Sequence, residues 1–240
     1  MNPAPRISRR LKHSLFLSGL LALILAAVSS CTSVTGSSAV SLVRVIDASS
    51  NAPVLDVDVS GTPIALNVAA PSFSNYAYVG PGAATVRLYS HGTSTTLAQI
   101  SGILAASGQS SVYVTDQGTT FAVSLLTDQS TAAPPGFISF RFLQQANATG
   151  AVDIYLLPDG DLIADAKPLI VALAPGSVTQ YINVTAGTYD LVVAATGTTK
   201  GAYTSTATMF AGGQVRTALI VDQKLLNTPP VNVLIASDVN

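Results

Sequence analysis

Glutamate and tryptophan are both absent from this chain of 240 residues, and all 12 of its acidic residues are aspartates. Glu, Lys, Arg and Gln are the usual solvent-face residues of soluble helices, so their scarcity argues against a helical protein. Charged residues make up 10% of the chain, less than half of the usual share of about 25%. Four of the 11 basic residues (Arg6, Arg9, Arg10, Lys12) lie in a leader without acids, so the chain beyond it carries seven basic groups against twelve acidic ones, a net −5. Such a balance does not follow a phosphate backbone and excludes nucleic acid as a partner. A single cysteine excludes an internal disulfide. Of two histidines, His13 falls in the leader and His91 sits in the turn-like Tyr89-Ser-His-Gly-Thr93. Neither Gly-x-Ser-x-Gly nor His-Glu-x-x-His occurs, so no catalytic set and no cofactor are expected. A carboxylate pair for hydrolysis would have to come from Asp alone.

The leader has its own organisation. Residues 1–13 are basic, and Leu15–Val28 form an apolar run of 14 residues. That is too short for a membrane span, which needs about 20, and matches the h-region of a secretory signal. Val28-Ser29-Ser30-Cys31 follows. This tetrapeptide resembles the lipobox of bacterial lipoproteins, which implies cleavage before Cys31 and acylation of its thiol. Small residues give the peptidase access, and two or more acyl chains anchor stably where one is marginal. The expected organisation is a signal peptide at 1–30 and a lipidated Cys31 with a flexible tether at 31–40. The expected location is the bacterial cell envelope, with the membrane as partner through the lipid. Thr32, where an Asp would retain the protein, implies onward sorting to the outer membrane.

The rest of the chain repeats itself. Arg44 and Arg141 are 97 residues apart, as are Asp56 and Asp153; Tyr76/Tyr181, Gly82/Gly187 and Gly108/Gly213 are 105 apart. An insertion of eight residues in the second copy explains the change and is placed in Pro158–Pro168. A spacing this long is a domain duplication, not a solenoid. The Pro- and Ala-rich Gln129–Gly136 reads as a linker between a domain at 41–128 and another at 137–240. Runs such as SLVRVID, VLDVDVS, FISFRFL and RTALIVD place apolar residues on alternate positions, the period of strands. The predicted fold is all-β: two tandem antiparallel β-sandwiches, Ig-like or transthyretin-like in outline.

The segment from Val43 to Gly61, with Arg44, the turn Asp47-Ala-Ser-Ser-Asn-Ala52 and Leu55-Asp-Val-Asp-Val59, resembles a bacterial envelope family known as domain of unknown function 4397. That family often has His-Ala-Ser-Pro-Asp-Ala and Val-Asp-Val-Tyr here; Asp47, Ser50, Asn51 and Asp58 are departures. The second copy keeps Asp153-Ile-Tyr155 and a similar later strand, Ala186-Gly-Thr-Tyr-Asp-Leu-Val-Val193. The resemblance implies the fold and brings no catalytic residues.

The candidate site residues are therefore few. Arg44 with Asp56, and Arg141 with Asp153, read as structural ion pairs pinning a hairpin, the Asp also capping a turn; the alternative is a ligand site present twice. Asp159, Asp161 and Asp165 crowd the insertion and are weak calcium candidates, lacking the complete ligand pattern with its closing Glu. The function expected is a non-enzymatic envelope lipoprotein whose sandwiches serve as spacer, adhesion or protein-interaction modules, with an envelope protein or a glycan as partner. The alternative is a carbohydrate- or small-ligand-binding lipoprotein that uses loops at one end of a sandwich.

Overall fold

The computed structural model describes residues 39–117, 120–223 and 230–239. Cys31 and the leader lie outside the described residues. Alternating Val, Leu, Ile and Thr segments form strands throughout, and no α-helix occurs among the described residues.

In the first copy, β1 (Ser41–Asp47) is followed by β2 (Leu55–Val59) and β3 (Thr62–Val68). The short β4 (Ser72–Phe73) and β5 (Ala77–Val79) come next, then β6 (Gly82–Ser90), β7 (Thr96–Leu104), β8 (Gln109–Gln117) and β9 (Thr120–Asp128). One sheet has the order β4-β1-β8-β9 with β5 also on β1, and its partner sheet has the order β3-β2-β6-β7. The second copy repeats the plan with β10 (Phe137–Gln145), β11 (Val152–Pro158), β12 (Ile170–Leu173), β13 (Ile182–Thr185) and β14 (Gly187–Ala195). It ends with β15 (Gly201–Thr204), β16 (Thr208–Phe210), β17 (Val215–Asp222) and β18 (Val231–Val239). Its sheets run β13-β10-β17-β18 and β12-β11-β14-β15, with β16 also on β14.

Most pairs are antiparallel, but β1 with β8 and β10 with β17 are parallel. The cause is a crossover. After β1 the chain leaves for the opposite sheet and returns in the same direction, as parallel neighbours require. β1 and β2 are therefore not a hairpin; they belong to facing sheets.

Each sheet pair encloses its own core. Val43, Val45, Val57, Val86, Leu88 and Val112 fill the first. Phe140, Phe142, Ile154, Leu191, Val193 and Phe210 fill the second, where Phe140 stacks on Phe142 and meets Phe210 edge-on. A third cluster joins the copies: Ile46 and Tyr113 from the first pack with Leu143, Leu219 and Val221 from the second. The sheets carrying β1 and β10 thus face each other and are covered on both sides. This is why β1 and β10 are buried nearly end to end instead of alternating. Residues 39–240 form one compact unit.

The connection from β11 to β12 spans residues 159–169, against 60–61 between β2 and β3. This longer loop contains a 3-10 turn, Ile163–Asp165, and lays Ile163 and Ala166 over Tyr155, Leu157, Val192 and Ala194 on the outer face of its sheet.

Candidate functional site

Asp56 and Asp153 do hold the same position in each copy, but neither meets the arginine that precedes it. Asp56 accepts the backbone amides of Asn67 (2.9 Å) and Gly92 (3.0 Å), and His91 Nδ1 lies 2.8 Å from its Oδ1. Asp153 accepts the amides of Ala172 (2.8 Å) and Gly197 (3.0 Å). Asn67 and Ala172 have φ of 56° and 52°, and Gly92 and Gly197 have φ of 73° and 76°. Each carboxylate therefore pins two left-handed backbone sites, a bulged strand and a turn, which side chains other than glycine adopt reluctantly. The predicted pairs Arg44–Asp56 and Arg141–Asp153 are corrected by this geometry: each Arg lies on the inner sheet of its copy and each Asp on the outer one.

The hydrogen bond with His91, the Asn67 amide and the Gly92 amide draw the Asp56 carboxyl down to about 2. Burial pushes Asp153 up, but the amides of Ala172 and Gly197 and the side chain of Thr196 outweigh it, so that it too lies below its ordinary value. Because the folded pKa of Asp56 is below the unfolded value of about 3.9, the stability it contributes is present above pH 4 and is lost as the pH falls towards 2. Asp56→Asn is expected to melt below the wild type at pH 7, with the difference shrinking between pH 4 and pH 2. Melting curves across that range check it, and a difference of equal size at pH 2 would contradict the assignment.

The arginines meet at the junction of the two copies. Arg44 Nη2 donates to Asp238 (2.5 Å), and Arg141 Nη2 donates to Asp128 (2.7 Å). The cation of each copy is thus paired with a carboxylate in the last two residues of the other copy's last strand. Ser111 Oγ and Tyr76 Oη donate to Asp128 at 2.6 and 2.7 Å. Thr217 Oγ1 (2.6 Å) and Tyr181 Oη (2.5 Å) donate to Asp238. The guanidinium of Arg44 lies over the Tyr76 ring and that of Arg141 over the Tyr181 ring, both at 4.8 Å. Arg44 and Arg141 are 1% and 3% exposed, so their charges depend on these partners and not on solvent. Burial alone would lower the pKa of Arg44; Asp238, Tyr76 and Asp128 more than offset it and raise it. Burial, with the nearby carboxylates, raises both Tyr76 and Tyr181, which stay protonated donors.

Asp128 and Asp238 were the residues missed in the sequence. Asp128 ends β9 and Asp238 is the last residue but one of β18, and each is bonded to one of the two tyrosines that the 105-residue spacing relates. The arrangement locks the two copies together.

Elsewhere the copies have diverged. On the outer sheet of the first, Asp58 accepts Tyr89 Oη (2.5 Å) and lies 4.0 Å from Arg87. The corresponding face of the second is apolar and covered by its own long loop. Asp159, Asp161 and Asp165 in that loop are not drawn together: among the described residues no group of three acidic, His or Cys side chains stands positioned to hold a metal. A cleft of about 310 Å³ opens at the junction, lined by Ala48, Ser49 and Pro71 of the first copy and Val221, Gln223 and Asn232 of the second.

Residues 41–155 match the model of a family described as a domain of unknown function (DUF4397). The match covers all nine strands of the first copy and runs through β10 into β11. No curated protein matches the chain. Among solved structures it is similar to one described as "a putative cell adhesion protein" from Bacteroides eggerthii DSM 20697, at 11% identity over 85% of this chain and 96% of that one, with a TM-score of 0.18.

Proposed function

We propose that this DUF4397-like chain is a non-enzymatic cell-envelope lipoprotein, held by acyl chains on Cys31, whose paired β-sandwiches form a stiff spacer, adhesion or protein-interaction module. The observation that carries the reading is the junction. Arg44, Arg141, Asp128 and Asp238 are buried and spent on one another, which fixes two sandwiches as one body and leaves none of the four to do chemistry. A rigid body joined to a lipid anchor suits presentation of a surface beside a membrane. The anchor is tested by palmitate labelling in a diderm bacterial host. The wild type is expected to take up label and to partition into detergent, and Cys31→Ala to do neither. An unlabelled wild type, or a labelled variant, would overturn it.

A second reading, binding of a glycan or another small ligand, is favoured by the cleft of about 310 Å³ between the copies. Small-ligand sites form preferentially at such junctions. A saccharide titration that left the melting curve unmoved would remove the glycan form of this reading.

A further inference from the structure

We propose that the junction is a self-complementary docking surface, and that its partner outside the chain is a second copy of the same chain: the first half of one copy takes the second half of another. The inference rests on the junction's geometry and not on the lipid anchor. Each half presents the same set: an arginine on its first strand (Arg44, Arg141), a hydroxyl on the strand parallel to it (Ser111, Thr217), a tyrosine (Tyr76, Tyr181) and a carboxylate in the last two residues of its last strand (Asp128, Asp238). The pairing is reciprocal, since Arg44 goes to Asp238 and Arg141 to Asp128. One pair of secondary contacts is reciprocal too, although Arg44 Nε also donates to Ser111 while Arg141 Nε has no hydrogen-bond partner. Arg44 Nη1 donates to the Ser237 carbonyl and Arg141 Nη1 to the Thr127 carbonyl, each the residue before the partner carboxylate. That is the signature of an isologous, two-fold interface, formed here within one chain.

Such an interface contains nothing that distinguishes a half of the same chain from the equivalent half of another. What favours the internal pairing is the tether Gln129–Gly136, through the high effective concentration that a short linker provides. Its hold on the junction includes the Ala133 amide bonded to the Gly213 carbonyl (3.0 Å), whereas Ser130, Thr131 and Ala132 are exposed. Two chains that exchange halves would remake every junction bond twice and pay only the entropy of association.

The test uses the whole chain. Two copies with different tags are unfolded together in urea and refolded over a range of concentrations, and the products are sized by light scattering and captured through both tags. A species of twice the monomer mass carrying both tags is expected, its share rising with concentration. Removing Ser130–Ala132 is expected to raise that share several-fold, because the shortened linker hinders return within the chain. Lengthening the same segment with Gly and Ser is expected to lower it. A dimer indifferent to linker length would overturn the proposal, since it would arise at some other surface. So would a shortened chain that stays monomeric and folded at every concentration. Asp128→Asn, if it folds, should lose the dimer with the lock.

Discussion

Asp128→Asn is expected to destabilise the protein by about 3–5 kcal/mol, the range for removing one partner of a buried ion pair. For a chain of this size that is a fall of roughly 6–20 °C in melting temperature. The carboxylate is completely buried and takes hydrogen bonds from Arg141, Ser111 and Tyr76, with Arg44 Nε 3.8 Å away. An amide keeps the shape and removes the charge. Arg141 is then left with neutral acceptors, the Thr127 carbonyl at 3.2 Å and Thr217 Oγ1 at 3.1 Å, and its own Nε has no hydrogen-bond partner even in the intact protein. The loss should exceed the worth of the pair itself, because an uncompensated buried charge remains. Asp128→Leu combined with Arg141→Met should therefore cost less than Asp128→Asn alone. Urea denaturation of the three chains measures it. A wild-type midpoint for Asp128→Asn would show that the two halves are held by apolar contacts alone. Asp58→Asn is a control of the opposite kind: Arg87 lies 4.0 Å away with its side chain 39% exposed, and exposed pairs contribute about 0–1 kcal/mol.

The sequence shows which residues are duplicated more readily than it shows what they touch. Alternation in SLVRVID and FISFRFL is enough to place β1 and β10, because period-two patterning reports a strand whatever sheet it joins. It says nothing about which sheet that is. Arg44 and Asp56 look like neighbours on a hairpin, yet the residues between β1 and β2 carry the chain from one sheet to the other. Sheet membership is set by long-range pairing, and no short window contains it. Asp128 and Asp238 were harder still, being 110 residues apart and so off both repeat spacings. The tyrosine spacing was a usable signal: a duplicated Tyr with a hydroxyl to satisfy points to a duplicated acceptor. The turn caps were legible in kind. Asp56 and Asp153 hold backbone amides, as Asp side chains beside bulges and turns commonly do.

The same comparison between copies leads to the second large effect, in the other core. At the 97-residue spacing Val43 and Val45 correspond to Phe140 and Phe142, and Leu104 corresponds to Phe210 across the same strand pairing. The first core is aliphatic throughout its buried cluster, while the second is organised on three rings, with centroids 5.5 Å apart for Phe140–Phe142 and 5.0 Å for Phe140–Phe210. Phe140 is the shared member of both contacts and is fully buried. Phe140→Ala is expected to cost about 3–5 kcal/mol, the range for emptying a phenylalanine site in a packed core. Aromatic pairing contributes about 0.5–1.5 kcal/mol per contact beyond area, so the upper part of that range is expected. Phe140→Val is the sharper experiment, because it installs the residue that the first copy uses at the same place. If the two cores were interchangeable it would be nearly neutral. The rings of Phe142 and Phe210 cannot close over the missing volume without leaving their own packing, so a loss well above 1 kcal/mol is expected, read as a lower urea midpoint with an unchanged slope.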